Sequence, residues 1–526
     1  MQQKFRFNEI LFVNCLIPLV PESSPITLVI MVSAKAYFIY RTVLSGFCKM
    51  TLFLSDYICR MKRAGLLEGL YVHDIGSKGQ GIARDKDRVV MIEGCVPGDV
   101  VDVKIIRDRK KHLEARLINI RQASEFRQHA FCEHFGSCGG CKWQNMSYKG
   151  QLKFKQKQVE DALVRIGKIN IPPLLPIIAA HKTSFYRNQL EFSFSNKRWL
   201  NEQEIKKDKK YDRNAIGFHC PGRFDRIIDI KKCHLQLDPS NSIRLKTKQF
   251  AIENQLSFYD TIEHTGLLRN LIIRTSTTGE VMVLFIFNYY DIQAIEKLME
   301  YIRITFPQIT SLQYLINDKQ NDSFYDCDVI TYAGESTITE KLLGLTFKIG
   351  CKSFFQTNSL QAELLFKTIL DFAELKGTET VYDLYCGIGS ISLCAAQRSG
   401  KVLGVECVHE SVELAKENSI INGIKNVSFI CGDVRQLIKQ GLIKKYGQAD
   451  VIIVDPPRAG MHKDTIEKLM KLLPKRLVYV SCNPSTQARD LALIKESYNI
   501  IKVQPIDMFP HTHHIENVIL LSCKTT

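Results

Sequence analysis

Two residues near the carboxyl end of the chain are equipped for covalent chemistry together. Cys482 stands in Val480-Ser481-Cys482-Asn483-Pro484, just past an apolar run of strand character. Glu516 closes Pro510-His511-Thr512-His513-His514-Ile515-Glu516, immediately before another such run. A thiolate can add to an electron-poor double bond, and a carboxylate can later take a proton from the adduct. Most lone cysteines are inert core residues. The acid at a second strand end is what singles Cys482 out. His511, His513 and His514 read as structural histidines and are given no role.

A second group of residues points to a ligand. Asp383-Leu384-Tyr385-Cys386-Gly387-Ile388-Gly389-Ser390 closes one strand with a glycine pair, which lets a backbone approach a ligand at a helix start. The third glycine of a dinucleotide fingerprint is missing. Glu406 ends the next strand, 19 residues after Gly387, where an acid can accept from both hydroxyls of a ribose. An adenosine-bearing cofactor without a pyrophosphate fits, namely S-adenosylmethionine. The plainer alternative is an ordinary strand-to-helix turn followed by a surface glutamate. Val454-Asp455-Pro456-Pro457-Arg458 ends a further strand. Its prolines are poor ladder formers and suit a rigid wall beside a flat base. The Asp-first form differs from the Asn-first or Ser-first versions suited to methylation of an exocyclic amine.

A thiolate, a carboxylate and a methyl donor at one rim suit one reaction above others. C5 of uracil is a poor nucleophile until a thiolate adds to C6 and turns the ring into an enolate. C5 then takes the methyl group, and a base removes the C5 proton so that the thiol can leave. Cys482 is assigned as nucleophile and Glu516 as base. Cytosine-5 methylation also uses a cysteine, but its acid is expected in a different sequence setting, where it protonates N3.

These residues require a doubly wound, mostly parallel sheet. Strand-like runs at Lys401–Val405, Val427–Cys431, Val451–Val454, Arg476–Val480, Ile500–Gln504 and Asn517–Leu521 follow the Asp383 strand, and helical segments separate most of them. Upstream, residues 185–330 alternate apolar and polar as in a mainly antiparallel sheet, with a lysine-rich loop or hairpin tip over 196–213. A helical stretch over 149–166 precedes it. Residues 66–120 read as a small five-stranded barrel of the oligonucleotide-binding kind. It ends in the basic run Arg107, Arg109, Lys110, Lys111, Arg116 and Arg121. The boundaries expected are 1–60 for an N-terminal extension foreign to the fold, then 61–122, 123–335 and 336–526. Met61 reads as the natural start.

Between the barrel and the sheet domain lies Cys132-x5-Cys138-x2-Cys141, with Cys233 further on in Lys231-Lys232-Cys233-His234. Four thiolates serve zinc or an iron–sulfur cluster equally well, and spacing does not separate them.

Composition agrees with a nucleic-acid enzyme. The 526 residues carry 71 Lys+Arg against 55 Asp+Glu, a net charge of +16, which favours a polyanionic partner. With 45% hydrophobic and 24% charged residues the chain is neither disordered nor fibrous. Its 17 cysteines are too sparse for a disulfide scaffold and point to a reducing compartment. No uncharged run in the apolar residues 1–60 is long enough to span a bilayer, which needs about 20 residues.

Taken in order, five motifs resemble the RNA uracil-5-methyltransferases of the RumA/TrmA type: Phe355-Gln356-Thr357-Asn358, Asp383–Ser390, Asp455–Arg458, Ser481–Pro484 and Pro510–Glu516. The resemblance implies a Rossmann-like class I methyltransferase domain at the C-terminus of an α/β chain. It implies a methyl-donor site lined by Gln356, Tyr385, Ser390, Glu406, Asp433 and Asp455. Family members often carry Asn at the positions of Ser390 and Asp433. The front barrel resembles a TRAM domain, an OB-like RNA-binding module, and Cys132, Cys138, Cys141 and Cys233 resemble the ligands of a 4Fe–4S cluster. Barrel and cysteines together imply the branch that acts on 23S ribosomal RNA, with the target uridine splayed out of its RNA fold. Arg187 and Arg269 are possible helpers or plain structural arginines. A cytoplasmic monomer with no membrane association is expected. The alternatives are the same reaction on tRNA or another RNA, and a non-catalytic iron–sulfur RNA-binding protein.

Overall fold

In the computed structural model, residues 65–206 and 211–524 are described. The chain divides into two units, Met1–Leu66 and Leu67–Thr526, and nearly all of the described residues belong to the second. The expected extension over 1–60 lies outside the described residues.

The front module is a sheet of six strands rather than five. Its strands are β1 (Leu66–Tyr71), β2 (Asp74–Ile75), β3 (Gly81–Asp85), β4 (Arg88–Glu93), β5 (Val100–Asp108) and β6 (His112–Gln122), in the order β1-β5-β6-β4-β3-β2. The extra strand, β2, is two residues long and too short to leave a periodic signature. Inward Val90, Ile92, Val101, Val103, Leu113 and Ala115 alternate with less buried neighbours and make the core. The basic run is partly neutralised at home. Arg107 and Arg109 lie near Glu114, and Arg121 bonds Glu68 and Asp102. Lys104, Lys110, Lys111 and Arg116 remain exposed.

Helix α1 (Tyr148–Asp161) follows, N-capped by the Ser147 hydroxyl and continued by a π-turn over Ala162–Ile166. The central sheet contains β7 (Gln189–Ser195), β8 (Ala215–His219), β9 (Ile227–Asp229), β10 (Leu268–Thr275), β11 (Val281–Phe287), β12 (Ser311–Ile316) and β13 (Val329–Gly334). Helices α2 (Glu202–Lys206), α3 (Ser240–Glu253) and α4 (Ile292–Thr305) interleave with them, α2 inside the predicted hairpin insertion. The order is β13-β12-β11-β10-β7-β8-β9, antiparallel except between β11 and β12, which α4 connects. Phe192, Leu271, Ile273, Val283 and Phe285 pack against Ile243, Phe250, Ile295 and Leu298 of α3 and α4.

After the hairpin β14 (Thr337–Leu342) and β15 (Leu345–Gly350), the rhythm becomes strand then helix. The helices are α5 (Ser359–Ala373), α6 (Ser390–Ala396), α7 (His409–Ile421), α8 (Val434–Lys439), α9 (Leu442–Tyr446), α10 (Lys463–Leu472) and α11 (Pro484–Ala492). The strands are β16 (Thr380–Leu384), β17 (Lys401–Glu406), β18 (Val427–Cys431), β19 (Val451–Val454), β20 (Arg476–Ser481), β21 (Tyr498–Ile506) and β22 (Glu516–Cys523), in the order β18-β17-β16-β19-β20-β22-β21. The first five run parallel, and β22 is antiparallel to both neighbours. Apolar runs such as Val451-Ile452-Ile453-Val454 are buried on both faces, as parallel strands between helix layers must be. Val451 and Ile453 face α5 and α6, whereas Ile452 and Val454 face the side that includes Val159, Ala162 and Leu163. The end of α1 and its π-turn therefore pack on the C-terminal sheet. Replacing a buried side chain such as Ile453 by Ala would cost about 2–5 kcal/mol. Among the described residues no helix is long and apolar enough to cross a membrane.

Candidate active site

Cys482 follows the last residue of β20 and precedes α11. Asn483 caps that helix, its Oδ1 accepting from Ser485 N at 3.1 Å, and Pro484 takes the first helical position, where its missing N–H costs nothing. Ser481 Oγ accepts from Asn483 N at 3.1 Å and Asn483 Nδ2 donates to Arg458 O at 3.2 Å. The turn that carries the thiol is thus pinned on both sides, and the thiol is half-buried.

Glu516 opens β22. Ser481 of β20 is paired with Asn517 of β22, and Ile506 of β21 with Glu516. Antiparallel pairing of Ser481 with Asn517 leaves Cys482 and Glu516 as the next residues on two adjacent strands, at the same edge of the sheet. Glu516 is buried. Burial, then the charge of Asp455, holds its carboxyl well above the ordinary range, with Arg458 opposing. The Cys482 thiol is pushed up to about 12 by burial, then by Glu516 and Asp455, while the Arg458 guanidinium beside it pulls the other way.

The edge also gathers acids from β16 and β19. Burial raises the Asp455 carboxyl to about 6. Asp383 is raised to about 7 by burial, against a Ser392 hydroxyl bond of 2.5 Å to Oδ2, with Asp455 and Glu406 adding repulsion. Its buried Oδ1 has no hydrogen-bond partner. Buried, repelling carboxyls with an orphaned oxygen suit a cationic ligand, and a sulfonium is one.

Beside them, Tyr385, Glu406 and Asp433 line one pocket with Cys407, Arg435 and Thr465. Tyr385 is left-handed, at φ 72°, and Gly389 takes φ 82° as α6 begins. A Cβ on Gly389 would sit 2.8 Å from the Phe429 ring, so this turn needs glycine on two counts. Glu406 Oε2 accepts from Gly387 N at 3.1 Å and ties the two strand ends together. Asp433 caps α8. Ser390 opens α6 but does not line this pocket. Gln356 is buried in the segment before α5. That segment is held by Asn188, which donates to Gln356 O at 3.0 Å, and by Asn358, which donates to Met508 O at 2.9 Å.

The loop between β21 and β22 is heavily braced. His511 is left-handed at φ 64°, a strain of about 1–3 kcal/mol that surrounding contacts must hold. Burial pushes the imidazoles of His511 and His513 down to about 4 and that of His514 to about 3, so all three are neutral. The front module leans on the same loop. Trp143 Nε1 donates to Gly79 O at 3.0 Å, and a Cβ on Gly79 would sit 3.0 Å from His513 Cβ. Arg187 stacks on Phe509, 4.9 Å from the ring centroid. Arg269 is structural, its guanidinium donating to the carbonyls of Asn317, Lys319 and Asn321.

Cys132, Cys138, Cys141 and Cys233 line a common pocket with Phe135, Phe218 and Leu235. Burial comes first in raising their thiols, Cys138 to about 12 and Cys141 to about 11, and the sulfurs repel one another when charged. Asn241 Oδ1 accepts from Cys233 N at 2.8 Å, and Gly140 N donates to Cys138 Sγ at 3.4 Å. The buried Arg244 donates to the carbonyls of Ile230 and Lys231, and its field favours a Cys233 thiolate. Among the described residues, no three His, Cys, Asp or Glu side chains form a group that could hold a metal ion.

A family model described as tRNA (Uracil-5-)-methyltransferase matches residues 335–524, and a TRAM domain model matches 70–118. An RNA methyltransferase of Bacteroides thetaiotaomicron is 49% identical over 454 residues, 86% of this chain and 100% of the relative. The chain belongs to the RNA uracil-5-methyltransferase family. A second RNA methyltransferase, from Porphyromonas gingivalis, is 44% identical over 86% of this chain and 99% of its own. The solved structure of the Pyrococcus abyssi tRNA (uracil-54, C5)-methyltransferase in complex with S-adenosyl-L-homocysteine is 26% identical. It covers 86% of this chain and 100% of that one, with a TM-score of 0.68. A methyltransferase fold with a TRAM module in front, using S-adenosylmethionine on RNA, is therefore established.

Sequence reading of this methyltransferase passed over three neighbours of the site. Asp383 was legible as an acid ending the first strand of a parallel sheet. Arg458 was legible as the one cation in its motif. Thr465 lies in α10, in a stretch with no local signal, and only the fold brings it to the pocket.

Proposed function

We propose that this methyltransferase transfers a methyl group to C5 of a uridine in 23S ribosomal RNA through a covalent bond between Cys482 and C6. The observation that carries the reading is the strand register that sets Cys482 beside Glu516 at the edge holding the acid-lined pocket. Cys482 loses its proton to solvent and its thiolate forms the Sγ–C6 bond, while the π pair of the C5–C6 bond shifts to give an enolate. C5 takes the methyl group, which S-adenosylmethionine supplies from its sulfonium. Glu516 as carboxylate then removes the C5 proton, the C5–C6 double bond re-forms, and the thiolate leaves. Arg458 favours the thiolate. A sulfonium near Asp455 and Asp383 would lower both carboxyls, and its own positive charge would offset the repulsion that Asp455 exerts on Glu516. Tyr385, Glu406 and Asp433 would hold the nucleoside, with Gln356 and Ser390 as further contacts.

The four cysteines would hold a 4Fe–4S cluster. Their shared apolar pocket, and the fields of Arg244 and Arg187 that favour thiolates there, support a thiolate-bound group. Held by Cys132, Cys138 and Cys141 on one side and Cys233 on the other, it would tie the segment after the front module to the central sheet. Methyl transfer needs no electron from it.

The likeness to the Pyrococcus abyssi tRNA (uracil-54, C5)-methyltransferase favours a second reading, the same reaction on tRNA. Mapping 5-methyluridine in RNA from a strain lacking the gene separates them. Loss from 23S RNA alone supports the first reading, and loss from tRNA with intact ribosomal RNA overturns it.

A further inference from the structure

Helix α1 presents Tyr148, Gln151 and Lys155 at spacings of three and four residues, one face of a helix. All three grip the loop between β21 and β22. Lys155 and Asp507 are both fully buried, with Lys155 Nζ 2.6 Å from Asp507 Oδ1. The same ammonium donates to Phe509 O at 3.0 Å. Tyr148 Oη donates to Asp507 Oδ2 at 2.9 Å, and Phe509 N donates to Asp507 Oδ1 at 3.0 Å. Gln151 Oε1 accepts from His511 N at 2.7 Å, and its Nε2 lies 3.2 Å from His511 Nδ1. Lys142 N and Trp143 N, just after Cys141, both donate to His511 O.

Burying an ion pair costs desolvation that an apolar pair of the same size would avoid. What it supplies is direction. The Asp507 carboxylate is fixed by an ammonium, a phenol and a main-chain N–H, each along its own line. The loop so fixed contains the left-handed His511 and runs straight into Glu516. We propose that Lys155 is a positioning residue, which through Asp507 aims the Glu516 carboxylate at the C5 proton. The proposal rests on the reading of Glu516 as the base.

The test compares Lys155→Met, Lys155→Arg and Glu516→Gln in the full chain on target RNA. It measures kcat, KM for RNA and the protein–RNA complex that survives denaturation. Lys155→Met should lower kcat at least tenfold, leave KM within twofold, and accumulate the complex as Glu516→Gln does, because proton removal has become slow. Lys155→Arg should recover part of the rate. Wild-type kcat in Lys155→Met overturns the proposal. So does equal loss of complex and turnover in a protein with unchanged circular dichroism. Complex in Glu516→Gln but not in Lys155→Met overturns the positioning role alone, and its absence from both overturns the base reading together with this one. Should Lys155→Met fail to fold, Tyr148→Phe removes the hydroxyl that donates to Asp507 and accepts from Ala180 N. A several-fold fall in kcat with complex accumulation supports the proposal, and an unchanged kcat overturns it.

Discussion

Cys482 and Glu516 lie one step beyond a paired position on antiparallel neighbours, because Ser481 and Asn517 face each other across β20 and β22. A thiol and a carboxyl separated by 34 positions in sequence thereby share one edge of the sheet. A shift of one residue in that pairing would turn one of them to the other face.

If the covalent route holds, Cys482→Ala abolishes methyl transfer and leaves no adduct with RNA containing 5-fluorouridine. Glu516→Gln still forms the bond and transfers the methyl group but releases RNA slowly, so a denaturation-resistant complex builds up with ordinary uridine. Gel mobility under denaturing conditions reads both. Normal turnover of Glu516→Gln would show that another group takes the proton.

Stability should fall as pH rises through neutrality. Asp383, with an ordinary value of 3.8, is raised to about 7 in the fold, so between those limits the folded chain holds a proton that the unfolded chain has lost. That contribution is complete below about 4 and lost as pH climbs through about 7. Asp383→Asn should melt higher than the parent at pH 8, by roughly 3 °C, with little difference at pH 4, as followed by scanning calorimetry.

Ligand affinity carries the opposite slope. Ionised Asp383 and Asp455 attract a sulfonium, so S-adenosylmethionine should bind more tightly at pH 8 than at pH 5. S-adenosylhomocysteine, whose sulfur is neutral, should show less of this dependence. Isothermal titration at the two pH values compares them.

Gly389→Ala should weaken both fold and cofactor binding. The new Cβ would meet the Phe429 ring at 2.8 Å while the backbone stands at φ 82°, a combined cost of at least about 1–3 kcal/mol. A lower melting temperature together with weaker S-adenosylmethionine binding is the expected pair of results.

If the four cysteines hold the proposed 4Fe–4S cluster, protein purified without oxygen carries iron and a broad visible absorption, and Cys138→Ser removes both and lowers the melting temperature. One equivalent of zinc in a colourless parent protein would replace the cluster by a single ion.

Much of the fold was legible because its signals are local. The parallel strands are continuous apolar runs, their ends are marked by Gly387, Gly389 and the Asp455 prolines, and the strand boundaries at Val427–Cys431 and Val451–Val454 fall as expected. The strand ends that carry Cys482 and Glu516 were legible for the same reason, since each has its own motif. The sixth strand of the front module was not, because two residues carry no period.

What tertiary structure alone decided is distance and environment. Lys155 looks like any lysine on a polar helix, yet it is fully buried against Asp507, because the helix carrying it packs beside a loop more than 300 residues away in sequence. The raised Cys482 thiol and Glu516 carboxyl likewise arise from burial first, then from Asp455 and, for the thiol, from Glu516, groups brought together from separate strands. Composition fixes how many charges a chain has, but only packing takes water away from them, and that loss of hydration, more than their mutual repulsion, raises these carboxyls and this thiol.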